Sequence, residues 1–198
     1  MRTIPLETLP AVESLISREI QGGNRTQQRD AIAIALGLHG MRIGEVCRAR
    51  RDELYVAGRQ LQVPGFKRGN PRTLELHGSL VEAILAWRGD AANELLLYTA
   101  TGHAIHPTHL RRVWQRMIAR LLSDHFRFHD LRHTFATRLY HESEHDQYLV
   151  KRMLGHKSIK STEVYVHSLA LMPDACLIKL LVENESMSPK LKLYCPAG

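Results

Sequence analysis

A chain of 198 residues is the length of one ordinary domain and can bury a core without disulfide or metal staples. Hydrophobic residues at 44% with charged residues at 24% exclude an intrinsically disordered chain. The longest apolar run, Ala31 to Leu38, is too short to span a bilayer. The net charge of +7 is the footprint of a polyanion partner, although any one basic cluster, taken alone, reads as a solvated helix face. Cys47, Cys176 and Cys195 are odd in number and match neither zinc nor disulfide spacing, which fits a reducing cytosol. No charged stretch leads into an apolar one near Met1, so no secretory signal is expected.

In chain order, Leu6, Leu9, Val12, Leu15 and Ile16 recur at helical spacing over residues 6–20, and Gly22-Gly23 stops that helix. Asn24 caps a second helix running through Ala31, Ile32, Ala35 and Leu36, which Gly40 ends. A short helix carries Ile43 to Arg48. Residues 54–56, 60–63 and 72–76 alternate as strands do, with turn signals between them, and predict a small antiparallel meander. Helices resume from Ser79, read as a cap, to Trp87, and again over 108–122, where Arg111, Arg112, Arg116 and Arg120 lie opposite an apolar face. A helix starts near His129 and runs through Leu139. Another covers Gln147 to Leu154 and ends at Gly155, and a short one follows from Ser158 or Ser161. Residues 172–182 form an apolar helical stretch that must be buried, and 186–198 read as a loose tail. The predicted fold is mainly α with a small three-stranded antiparallel sheet, an α+β domain over residues 1–185.

Several residues carry chemistry. Arg42, in Gly40-Met41-Arg42-Ile43-Gly44-Glu45, sits at a helix N-terminus, where its planar fork suits a phosphate. Glu45 is placed to buttress it; the bland alternative is a surface salt bridge. Lys67 lies beside the hairpin turn and is a candidate general acid, with Arg68 as competitor; the bland alternative is an exposed turn lysine. His129 and Arg132 point the same way from the first turn of one helix, joining an imidazole to a second phosphate fork. His133 makes a zinc-like pair with His129, but that motif needs Glu where Asp130 stands, and no third ligand is evident. His103, His106, His109, His141 and His145 read as loop and surface histidines. No metal or cofactor is expected. Gly155 turns the chain so that His156 is presented rather than buried in a helix face. Tyr165, nine residues on, is by itself an ordinary packed aromatic.

Taken together, Gly-Met-Arg-Ile-Gly-Glu at 40–45, Lys67, His129-Asp130-Leu131-Arg132-His133-Thr134-Phe135-Ala136-Thr137, Leu154-Gly155-His156 and Tyr165 resemble the tyrosine recombinases, the family of phage integrases and Xer-type enzymes. The resemblance implies that family's catalytic-domain fold and site-specific cutting and rejoining of double-stranded DNA. Tyr165 would form a 3′-phosphotyrosyl link, Arg42 and Arg132 would neutralise the phosphate, and Lys67 would protonate the leaving oxygen. His129 would take the tyrosine proton and His156 would hydrogen-bond the phosphate. Arg68, Arg111, Arg112, Lys157 and Lys160 are expected DNA contacts. The resemblance also implies a homo-tetramer on DNA, joined through the 172–182 helix, with accessory DNA-bending proteins as further partners, in the cytoplasm with the nucleoid. Relatives usually carry a DNA-clamping domain before the catalytic one. Here the pattern begins almost at Met1, as in a fragment or in the short invertases of fimbrial switches. The rivals are type IB topoisomerase-like relaxation and a DNA-binding regulator without catalysis. The recombinase reading requires the guanidiniums of Arg42 and Arg132 to share one anion pocket.

Overall fold

In the computed structural model, residues 2–65 and 69–156 are described; Lys67, Arg68, Lys157, Lys160, Tyr165 and the expected 172–182 helix and 186–198 tail lie outside them. After one 3-10 turn, α1 spans Leu9–Gly22 and buries Leu9, Val12, Leu15 and Ile16, the face that the spacing predicts. The Asn24 side chain accepts from the Thr26 and Gln27 amides, and Gln27 returns a bond to Asn24 N, so a capping box opens α2, Arg25–Leu38. From Arg29 to Gly37 this helix is buried on all sides. It is the spine of the domain, in contact with α1, α4 (Gly78–Arg88), α5 (Pro107–Ile118) and α6 (Phe128–Glu142). Gly40, at φ +89°, lets the chain leave α2 and start the one-turn helix α3, Ile43–Val46.

The meander forms as expected, in the order β1 (Leu54–Tyr55), β2 (Gln60–Val63), β3 (Arg72–Glu75), all antiparallel. Leu61 pairs with Leu74 and Val63 with Arg72, so these four side chains share the inward face. Seven α-helices and three strands make the described part mainly α with one small sheet. No helix of the described residues is long and apolar enough to cross a membrane.

Several boundaries differ from expectation. The cap of α4 is His77, whose Nδ1 accepts from the Ser79 amide; His77 is extended, whereas Ser79 is already inside the helix. The third and fifth helices stop short, at Val46 and Ile118. Arg48 N bonds back to Glu45 O, and Arg120 N to Met117 O, which closes tight turns instead of continuing the helix.

Helix α7, Gln147–Leu154, packs on α6 through Val150 and Leu154 and ends at Gly155. Gly155 is left-handed at φ +64°, and a Cβ there would stand 2.6 Å from Asn70 O. Asn70 N in turn donates to Gly155 O at 3.0 Å, so the base of the β2–β3 hairpin rests on this turn. Gly155→Ala is expected to destabilise the fold by more than about 1 kcal/mol, because both conformation and space forbid a methyl group. An unchanged denaturation midpoint would contradict this.

Candidate active site

The α2–α3 turn, the start of α6, the end of α7 and the base of the hairpin converge on one carboxylate. Arg42 is the residue before the first turn of α3, so Glu45 can reach back to its amide, Oε2 to N at 2.7 Å, while Oε1 accepts from Arg42 Nη1 at 2.9 Å. The same two oxygens accept from Arg72, Nη2 to Oε2 at 2.7 Å and Nη1 to Oε1 at 3.1 Å. Arg132 Nη1 lies 3.9 Å from Oε2. The Arg42–Glu45 pair is therefore no surface bridge: the Glu45 side chain is 8% exposed. Burial pushes its carboxyl up, but the bonds and charge of Arg72, then the Arg42 amide and Arg132, overcome that and hold it at about 2.

The guanidiniums of Arg42 and Arg132 thus meet one anion, from different depths. Arg42 is 33% exposed and lines a cleft of about 290 Å³ with Ile43, Gly44, Glu45, Arg48, Phe128 and His129. Arg132 lies beneath, 1% exposed, donating from Nη1 to Gly40 O at 2.6 Å and from Nη2 to Leu154 O at 2.5 Å. It ties α6 to both the α2–α3 turn and the end of α7.

His129 is exposed at the first turn of α6 and stands edge-on to His133, ring centroids 4.4 Å apart. Its pKa is lowered by desolvation where the ring packs on the protein and then by the charges of Arg132 and Arg42. His156 was expected to be presented by its turn, but it is buried: Gly69 pairs with it in an antiparallel bridge that covers it with the hairpin base. Burial, then Arg132, Arg42 and Arg72, bring His156 down to about 4; burial, then His129 and Arg132, bring His133 down to about 4. These imidazoles are neutral at pH 7. Unfolding releases them to the ordinary 6.5, so the unfolded chain binds protons that the native one refuses. Stability is complete above 6.5, falls as the pH drops to about 4, and changes no further through these groups below that. Urea midpoints across this window should decline, and more shallowly in His156→Gln; a flat wild-type profile would refute the assignment.

Of the expected DNA contacts, Arg111 and Arg112 are exposed on α5. Arg111 and Arg48 both bear on Cys47, whose thiol burial nonetheless pushes up to about 11. Two residues escaped the sequence reading. Arg48 was read only as the end of a short helix. Arg72 was only a strand residue, although its alternation with Leu74 and Leu76 already aimed a charge at the core. Among the other histidines, His106 caps α5 and His109 Nε2 pairs with buried Asp30 at 2.6 Å.

The sequence profile of the phage integrase family matches residues 10–171. Tyrosine recombinase XerC of Pseudomonas putida is 33% identical over 133 residues, 65% of this chain and 44% of that protein. XerC of Azotobacter vinelandii is 32% identical over the same share. The chain thus spans less than half the length of these curated relatives. Among solved structures, XerH recombinase bound to palindromic difH in a post-cleavage complex superposes with a TM-score of 0.71 at 26% identity, over 83% of this chain and 49% of that one. XerA recombinase superposes with a TM-score of 0.70 at 19% identity, over 93% and 65%, a likeness of fold.

Proposed function

Because the chain belongs to the phage integrase family, we propose that it is the strand-cutting part of a tyrosine-type site-specific DNA recombinase. The observation that carries the reading is the convergence of Arg42 and Arg132 on one carboxylate, with His129 and His156 under the field of both guanidiniums. Such a pocket is built for an anion with charge spread over two oxygens, as on a phosphodiester. The XerH relative, solved on cleaved DNA, supports DNA as the substrate.

In the proposed reaction the Tyr165 phenol oxygen attacks the scissile phosphorus. A phosphorus–oxygen bond to tyrosine forms as the bond to the 5′-oxygen breaks, and the 3′-phosphate stays on the enzyme. The phenol proton goes to neutral His129, whose proton affinity rises once a phosphate offsets the neighbouring guanidiniums. Lys67 supplies the proton for the leaving 5′-oxygen. Arg42 from the cleft and Arg132 from beneath stabilise the charge on the non-bridging oxygens, and His156 donates a ring N–H. A 5′-hydroxyl from a second end reverses the steps, so the bond energy is conserved and no nucleotide cofactor is consumed. Arg48, Arg111 and Arg112 continue the positive surface along the duplex backbone, with Arg68, Lys157 and Lys160 as further contacts. A homo-tetramer acting on the nucleoid in the cytoplasm completes the proposal.

The test is covalent capture. The chain is incubated with a pool of duplexes of randomised sequence, each carrying one nick so that cleavage releases a short end and traps the adduct. A protein–DNA band that survives denaturation and is enriched in particular sequences supports the reading and supplies the target. Relaxation of any supercoiled plasmid without sequence enrichment would favour a topoisomerase; binding without an adduct would favour a regulator.

A further inference from the structure

Arg72 takes no part in the steps above, and its environment is hard to explain by stability alone. It occupies the inward face of β3 with a side chain only 2% exposed. A buried ion pair is often no more stable than an apolar residue of the same volume, and Leu74 shows that the next inward position of this strand takes an apolar side chain. The Arg72 Nε is buried without a hydrogen-bond partner among the described residues, a further cost of placing a guanidinium here.

What the guanidinium does accomplish is geometric. Its two terminal nitrogens grip both oxygens of Glu45, at 2.7 and 3.1 Å. That fork leaves the carboxylate a single orientation, the one in which it also holds the Arg42 amide and Nη1. Arg72 Nη2 further reaches Gly40 O at 3.3 Å, the carbonyl that accepts from Arg132 Nη1 at 2.6 Å. Arg72 therefore shares a carboxylate with Arg42 and a carbonyl with Arg132.

We propose, on the recombinase reading, that Arg72 is a positioning residue: by clamping Glu45 and sharing the Gly40 carbonyl, it aims the Arg42 and Arg132 guanidiniums at the scissile phosphate. Without it Glu45 turns towards the remaining arginines and neutralises charge that the phosphate needs. The loss falls on the rate of cleavage and spares affinity for the duplex, which rests on many backbone contacts. A second signature is pH. Glu45 is faced by Arg42 from α3, Arg72 from β3 and Arg132 from α6, and Arg72 opposes its burial most strongly. Removing Arg72 raises the carboxyl, so the variant's cleavage rate acquires a further acid limb. Because Arg72 also lowers His156, the limb is read against the double variant Glu45→Gln/Arg72→Met, which has the same shift at His156 but no carboxyl.

The full chain and a duplex recovered by covalent capture serve for the test, with Arg72→Met, Arg72→Lys, Glu45→Gln and the double variant Glu45→Gln/Arg72→Met. Single-turnover cleavage by Arg72→Met should fall about 100-fold, the scale of losing one preorganised donor, while the duplex Kd moves less than about threefold. Arg72→Lys should recover part of the rate, since it keeps the charge but not the fork. The double variant should cleave no more slowly than Glu45→Gln alone, because both residues act along one path. Wild-type rate and pH profile in a folded Arg72→Met, a loss confined to Kd, or multiplied losses in the double variant would each overturn the proposal. If Arg72→Met does not fold by circular dichroism, Arg72→Lys and the double variant, which removes both charges together, are read by the same criteria. If the wild type captures no duplex, the recombinase reading fails by itself. The clamp is then read by titrating inorganic phosphate against the chain by phosphorus NMR. Binding about tenfold weaker in the Arg72 variant supports it, and equal binding overturns it.

Discussion

Tyr165→Phe will bind duplex DNA as the wild type does and will form no covalent adduct. The substitution removes one oxygen and little volume, so the basic surface proposed to hold the DNA backbone is unchanged. Loss of a nucleophile typically costs at least about 10⁴-fold in rate. Of the tyrosines among the described residues, Tyr55, Tyr98, Tyr140 and Tyr148, none lines the cleft formed by Arg42, Glu45, Arg48, Phe128 and His129. Even Tyr148, 73% exposed, stands at the far end of α7 from His156. A gel-shift titration and a denaturing gel on the same captured duplex make the comparison. A band of adduct in the phenylalanine variant would mean that another residue attacks and that the motif has been misassigned.

Glu45→Ala will be the most damaging single change to folding among the residues around the cleft. It leaves two guanidiniums, Arg72 and Arg132, at 2% and 1% exposure without the carboxylate between them. Removing one partner from a buried charge network typically costs about 3–5 kcal/mol, a large part of the stability of a domain this size. The pH dependence should agree in sign. The carboxyl is held at about 2 in the fold against an ordinary 4.5, so its contribution is complete above 4.5 and is lost as the pH falls through about 2. Between these limits wild type should lose stability more steeply than Glu45→Ala, so that the two denaturation midpoints approach each other at the acid end. A neutral-pH midpoint in the alanine variant within about 1 kcal/mol of wild type would mean that water or the hairpin compensates the arginines. In Glu45→Gln, hydrogen-bond acceptance survives on one atom while the charge is lost. That variant should therefore lie between the two in stability, and it separates the cost of the charge from the cost of the cavity.

These two variants probe different layers of the molecule, and the layers were unequally legible. The helix order, the three-strand meander and the boxes around Arg42 and His129 could be read directly, because each depends on spacing within a few residues. Asn24 as a cap, Gly155 as a left-handed stop and the outward arginines of α5 are local facts of the same kind. The ends of α3 and α5 were misjudged, since tight turns and helices share the same apolar spacing for their last residues. His77 was overlooked as a cap because a serine stood two residues on.

The chemistry of the site divides along the same line. The residue types in their order along the chain determined the family and the candidate roles of Arg42, His129, Arg132 and His156, since a phosphate fork or an imidazole is a property of the side chain itself. Tertiary structure alone decided that Arg132 lies beneath the cleft while Arg42 opens onto it, that His156 is covered by the hairpin base, and that Arg72 completes the clamp on Glu45. Those facts arise where segments 22 or more positions apart meet, as Arg132 meets Leu154. Burial and field at such a junction are sums over all the chains that close around it, which no local pattern contains.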